Sequence, residues 1–299
     1  KGVSVSTNLD ISKETLTGGL SFTNQNFNLS GNSLNFFLTN TKNDAENSGF
    51  KNNIFSTGLG TSFEQYRDIY LSPSLVFSHD DLKVDSTGSK SLQKQKGKFT
   101  DLSFDYGITL DKRNRAFDPT EGYISRFRQV LPVVADSPSI KNTYNFSKYQ
   151  TISEDMIGAW KFYGSTIHGL SNKDVRLSKR NFIPTSKLRG FEAGKIGPKD
   201  GTDFIGGNYA AVTNFELSLP NLLPESTKTD VGLFLDVGNL WEVDYDSSVD
   251  DSNKIRSSVG VNTSWISPVG PMTFVFSQNL TKASSDITES FSFSLGTTF

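Results

Sequence analysis

The stretch VGLFLDVGNLW, residues 231–241, decides the fold. Side chains of an extended strand point alternately to its two faces, so Val231, Leu233, Leu235, Val237 and Trp241 share one side, while Gly232, Phe234, Asp236 and Gly238 share the other. One face is greasy and the other carries a carboxylate. AVTNFELSLP, residues 211–220, divides in the same way: Ala211, Thr213, Phe215, Leu217 and Leu219 face Asn214, Glu216 and Ser218 across the strand. FSFSLGTTF, residues 291–299, sets Phe291, Phe293, Leu295 and Phe299 against Ser292, Ser294, Gly296 and Thr298.

The same period of two runs through almost the whole chain and predicts strands over 2–12, 14–26, 33–43, 50–63, 68–82, 98–112, 121–134, 141–154, 157–171, 207–220, 229–242, 253–267, 270–282 and 288–299. Almost nothing reads as helix. Soluble strands average about 5–6 residues, whereas a tilted crossing of a bilayer takes about 9–11, so the length of these segments favours a transmembrane β-barrel over a soluble sandwich or solenoid. Connections after even-numbered segments are short or modest and the long loops 83–97, 243–252 and above all 172–206 follow odd-numbered ones, a tendency to which the tight first connection is an exception; this is how such barrels place turns on the periplasmic side and loops outside. Phe63, Tyr66, Tyr123, Tyr209, Trp241, Trp265 and Phe299 near segment ends fit interfacial girdles.

Composition narrows the partners. A formal net charge of −2 with pI near 5.8 offers no broad basic face for nucleic acid. With no Cys among 299 residues there is neither a disulfide framework nor a thiolate metal site. The chain opens at Lys1 directly on an alternating strand with no signal peptide before it, and so reads as a piece of a longer chain.

Catalysis and metal binding find little support. The two histidines, His79 in LVFSHDD and His168 in STIHGLS, have no nucleophile motif near them and read as surface loop residues, so an outer-membrane hydrolase lacks its base and nucleophile. The carboxylates of VDYDSSVDDSNK, Asp244, Asp246, Asp250 and Asp251, lack the spacing of a calcium loop and read as a solvated outer loop. The basic run GSKSLQKQKGK at 88–98 reads as its solvated counterpart.

The long loop contains KLRGFEAGKIGPKDG, residues 187–201, where Leu188 and Phe191 flank Arg189 and Gly190. A solvated connection has no need of two large apolar residues beside a cation, and loops this long are usually functional. Folded into a wide barrel, the loop would bring Arg189 to the carboxylates that parity places on the inner face, Glu216 and Asp236; a guanidinium forks onto a carboxylate as lysine cannot.

These residues resemble the BamA-type barrel-assembly insertases of the outer membrane, within the wider group that includes two-partner secretion transporters and organelle import barrels. Arg189, Gly190 and Phe191 carry the most specific match, followed by IGPK at 196–199 and GGN at 206–208. FTNQNF at 22–27, FDPTEGY at 117–123, FELSLP at 215–220, FLDVGNLW at 234–241 and SPVGPMTFVFSQ at 267–278 support it. The resemblance implies a sixteen-stranded barrel whose motif loop joins strands eleven and twelve. Here the loop joins the ninth and tenth segments, so the expectation is a C-terminal barrel domain, 1–299, lacking the first two strands and the POTRA repeats, with 172–206 as a lumen-inserting loop.

The resemblance also implies pairing of Arg189 with Glu216 and Asp236, and a terminal β-signal with Phe291, Phe293, Leu295, Gly296 and Phe299. No covalent chemistry, cofactor or metal is implied. The implied setting is the bacterial outer membrane, with outer-membrane lipid, nascent β-barrel proteins and periplasmic lipoprotein subunits as partners. Clients would be templated at a weakly paired seam between first and last strands, beside a thinned bilayer. The alternatives are a two-partner secretion or autotransporter-assembly barrel that serves a dedicated substrate, and a passive porin.

Overall fold

A computed structural model of the chain describes residues 2–11, 15–27, 29, 31–44, 49–251, 253–267 and 270–295. Its strands are β1 (Val3–Ile11), β2 (Thr15–Phe27), β3 (Asn32–Asp44), β4 (Phe50–Tyr66), β5 (Ile69–Val84), β6 (Gly97–Asp111), β7 (Gly122–Ala135), β8 (Ser139–Ser153) and β9 (Met156–Gly169). After the long loop come β12 (Tyr209–Leu219), β13 (Thr229–Trp241), β14 (Arg256–Ser267), β15 (Gly270–Thr281) and β16 (Phe291–Leu295). The loop itself holds the two-residue strands β10 (Lys199–Asp200) and β11 (Asp203–Phe204), which pair with each other.

The other fourteen strands form one antiparallel sheet in chain order, with β9 beside β12. Among the described residues β1 pairs only with β2 and β16 only with β15, so the sheet is not closed between them. No described helix is long and apolar enough to cross a membrane; the fold is that of a barrel that crosses with strands.

The two faces separate as the period of two requires. On β13, Leu233 is 44% exposed and Leu235 36%, while Phe234 and Asp236 between them are 3% and 0% exposed. Leu59, Leu75, Phe77, Phe104, Trp160, Phe215, Val261, Phe276 and Phe293 continue the outer apolar belt around the sheet. An apolar surface this extensive is foreign to a soluble monomer and is what a lipid-facing wall presents.

The inner face is covered from β4 to β15 by the long loop, aided by the loops 85–96, 242–255 and 282–290. Leu188, Phe191, Ile183 and Ile196 pack on Ala210, Val212 and Leu240 in one cluster. Leu177 and Ile205 join Phe50, Leu82, Leu92 and Val243 in another. Each fully buried aliphatic or aromatic side chain contributes about 1.5–3 kcal/mol, so these clusters hold the loop inward.

Three expectations are corrected. The run 88–98 is not simply solvated: it contains a one-turn helix α1 (Lys90–Gln93), capped by Ser89, whose Leu92 is buried in the second cluster. The acidic run is tied in as well, since Asp244 accepts from the Arg180 guanidinium and the Val175 N–H, and Asp251 from the Val243 N–H. Thr288, placed in the last strand by its alternation, instead bridges Phe191 of the long loop, and the described last strand begins at Phe291.

Candidate functional site

Arg189 is held at the inner face of four consecutive strands, β12 to β15. Its guanidinium forks onto Asp236, Nε to Oδ2 at 2.7 Å and Nη2 to Oδ1 at 2.6 Å, and its main-chain N–H donates to Oδ2 at 3.0 Å. Nη2 also lies 2.9 Å from Oε1 of Glu216. The guanidinium plane sits 3.7 Å from the ring centroid of Phe234, two residues before Asp236 on the same strand. One cation therefore meets a fully buried carboxylate, a partly exposed one and an aromatic face, and burial strengthens such contacts.

Neighbours fix the anions in turn. Asn214 donates to Asp236 Oδ1 at 2.7 Å and to the Lys187 carbonyl at 2.6 Å, and Lys161 donates to Glu216. Burial by itself disfavours the Arg189 cation, but Asp236 and then Glu216 outweigh it and hold its pKa above the ordinary arginine value.

The two residues after Arg189 are placed with equal care. Gly190 has φ +89° and its missing Cβ would stand 3.1 Å from both the Asn279 amide nitrogen and the Ser258 Cβ, so any side chain there is strained and crowded. Its carbonyl accepts from Asn279 Nδ2 at 2.9 Å, and the Arg189 carbonyl accepts from Ser258 Oγ. Phe191 is buried in the first apolar cluster. A second glycine, Gly260 on β14, lets the Phe234 ring lie flat against the wall, since a Cβ there would fall 2.6 Å from the ring.

Further out, two more arginines of the same loop are clamped, Arg176 on the wall and Arg180 among the loops above it. Arg176 reaches Asp101 at 2.7 Å and Asp80 at 3.2 Å, and stands over the Phe99 ring at 4.5 Å. Arg180 donates to Asp244, to Asn208 Oδ1 at 3.2 Å and to the Val175 carbonyl at 3.1 Å; burial, opposed by Asp244, lowers its pKa.

Sequence reasoning named Arg189, Gly190, Phe191, Glu216 and Asp236, and the structure brings all five into one region. It missed Arg176, Arg180, Ser258 and Asn279, and placed Asn214 on the inner face without assigning it a partner. It also noted Phe234 only as a member of the polar face, although a lone aromatic there was the available signal for a stacked cation.

Phe291, Phe293 and Leu295 lie on β16 with their side chains on the outer face, where Phe291 and Phe293 meet Phe276 and Phe274 at 5.0 and 5.5 Å. Gly296 and Phe299 lie outside the described residues. His79 and His168 are on β5 and β9 rather than in loops, bonded to Thr100 and Tyr209 respectively. Among the described residues no cluster of three or more His, Asp or Glu side chains is arranged to hold a metal.

Comparison with known proteins gives a consistent setting. The family whose model matches, over residues 1–299, is the Omp85 superfamily domain. The chain is similar to the outer membrane protein assembly factor BamA of Neorickettsia risticii, 24% identical over 264 residues, with 86% of this chain and 36% of that protein covered. It is similar also to the BamA of Neisseria meningitidis serogroup B, 26% identical over 342 residues, with 96% and 42% covered. It thus spans about two fifths of the length of these curated relatives. Among solved structures, BamA from Haemophilus ducreyi lacking POTRA domains 1–3 superposes with a TM-score of 0.86 at 20% identity, covering 100% of this chain and 65% of that one.

Proposed function

Because this chain belongs to the Omp85 superfamily, a group of outer-membrane β-barrel proteins, we propose that it is the barrel part of a factor that folds and inserts other β-barrel proteins into the outer membrane. The observation that carries the reading is the alignment of 86% and 96% of the chain with proteins named as outer membrane protein assembly factors. In this reading residues 172–206 are a lumen plug, Arg189 with Glu216 and Asp236 is its clasp, and two further strands lie beside β1 in the closed barrel. Its partners are nascent barrel proteins, outer-membrane lipid and periplasmic lipoprotein subunits.

The physics of the outer strands supports it. In this reading the seam between the first and last strands of the full barrel is weakly paired, and such an edge offers main-chain donors and acceptors on which an incoming strand can be templated. The strands also shorten toward the C-terminal edge, from 14–17 residues in β4–β9 to 11–13 in β12–β15, and a shorter hydrophobic belt thins the bilayer and lowers the cost of insertion there.

Depletion of the full-length protein tests the proposal. Many unrelated outer-membrane barrels should fall together; loss of one secreted substrate with the other barrels intact would assign the chain to dedicated secretion instead.

A further inference from the structure

Residues 283–290, between β15 and β16, run alongside the residues that follow Arg189. Their main chains pair: Glu192 N–H donates to the Ile287 carbonyl at 3.0 Å, Ile287 N–H to Lys195 at 3.1 Å and Glu289 N–H to Gly190 at 3.1 Å, around the Phe191–Thr288 bridge. Side chains of β15 close the gap, with Asn279 Nδ2 on the Gly190 carbonyl at 2.9 Å and Ser277 Oγ on the Glu289 carbonyl at 3.1 Å. The Ser277 N–H then donates to the Ser290 carbonyl at 2.9 Å, and pairing of β16 with β15 begins at Phe291. Hydrogen bonds therefore run without a break from Arg189 to the last strand.

The far side of this segment has its own anchor. Asp286 takes a fork from Arg256, Nε to Oδ2 and Nη2 to Oδ1 at 2.8 Å each, and accepts from the Ala283 N–H at 2.6 Å. Arg256 is fixed in turn by Asn239 Oδ1 at 2.6 Å and the Lys254 carbonyl at 2.9 Å. The two charged side chains are 2% and 0% exposed. A buried fork of this kind defines position, because loss of either partner strands the other charge away from water.

We propose that residues 283–290 are a latch through which the plug sets the position of the last strand, and that Asp286 is its positioning residue. Pairing of β16 with β15 begins at Phe291, directly after Ser290, whose carbonyl accepts from the Ser277 N–H, so the start of the strand depends on what holds Ser290. Movement of Arg189 and Phe191 out of the wall breaks the three main-chain bonds and frees that start. Release of the latch loosens the plug by the same coupling, because linkage between two sites is reciprocal. The coupling is independent of whether the barrel inserts proteins or secretes them.

Amide hydrogen exchange on the full-length protein in lipid nanodiscs tests the latch. Asp286→Asn keeps the shape and removes the charge; Arg189→Lys loosens the plug at its other end. The expected result is that D286N speeds exchange at Glu192 and at Phe291–Leu295 as well as at Ile287, and that R189K speeds it at Ile287 and Glu289. Each increase should be about tenfold or more, the scale of one charge-assisted hydrogen bond, with β5 and β6 unchanged. Faster exchange confined to 283–287 in D286N, or unchanged exchange at 287–289 in R189K, overturns the proposal. Should D286N fail to fold, Asn279→Ser and R189K apply the same test from the plug side without touching Arg256 or Asp286.

Discussion

Arg189 binds Asp236 three times, twice through the guanidinium and once through its own main-chain N–H. The side chain and the backbone of the loop are thus fixed by one carboxylate, which is itself fully buried and held by Asn214.

Arg189→Lys retains the charge and the main-chain bond but loses the fork and the reach to Glu216. Breaking one partner of a buried pair costs about 3–5 kcal/mol, and the lysine variant should lose a large part of that. Limited proteolysis of the intact protein in detergent is the check: cleavage within 172–206 should accelerate markedly while the strands stay protected.

Phe234→Leu keeps an apolar side chain but removes the π face under Arg189. A desolvated cation–π contact contributes about 2 kcal/mol, so the free energy of loop exposure, read from a urea titration, should fall by an amount of that order. The same substitution at outward-facing Phe215 should leave the loop untouched.

Gly190→Ala forces a β-carbon into a left-handed conformation at φ +89° and against Ser258 and Asn279. Strain of this kind costs about 1–3 kcal/mol. Loop protection should drop accordingly, whereas Gly201→Ala, with open space around its Cβ position, should show only the backbone part of the penalty.

The hairpin of β10 and β11 should respond to pH. Burial, then the carboxylates of Asp85 and Asp200, raise the Asp203 pKa above the usual carboxylate value. A folded-state pKa above the unfolded one makes the ionised form a liability: the full deficit is present above the raised value and disappears as pH falls below the unfolded one. Exchange at residues 199–204, normalised to intrinsic rates, should therefore slow on acidification through that window. Asp203→Asn should remove this component; an identical pH profile in both proteins would contradict the assignment.

The strands were legible because a wall with lipid outside and water or plug inside imposes a period of two on every crossing. The same parity put Glu216 and Asp236 on the side where Arg189 is found. What escaped were contacts made only in space. Arg180 and Asp244 are 64 residues apart and each reads alone as a solvated charge. Leu92 is the single large apolar residue of a basic run, too little pattern to announce a buried anchor. At Thr288 the polar parity of the last strand continues backward, and only the charged Glu289, on the parity of Phe291 and Phe293, marks where pairing passes from β15 to the plug.

Charge reversal at the clasp, read out on clients, tests the central claim most directly. In cells depleted of the native protein, full-length Asp236→Arg should fail to restore the abundance of outer-membrane β-barrel proteins, and the double reversal Arg189→Asp with Asp236→Arg should restore part of it. Full restoration of those proteins by the single reversal, at an equal level of the variant in the membrane, would contradict the account.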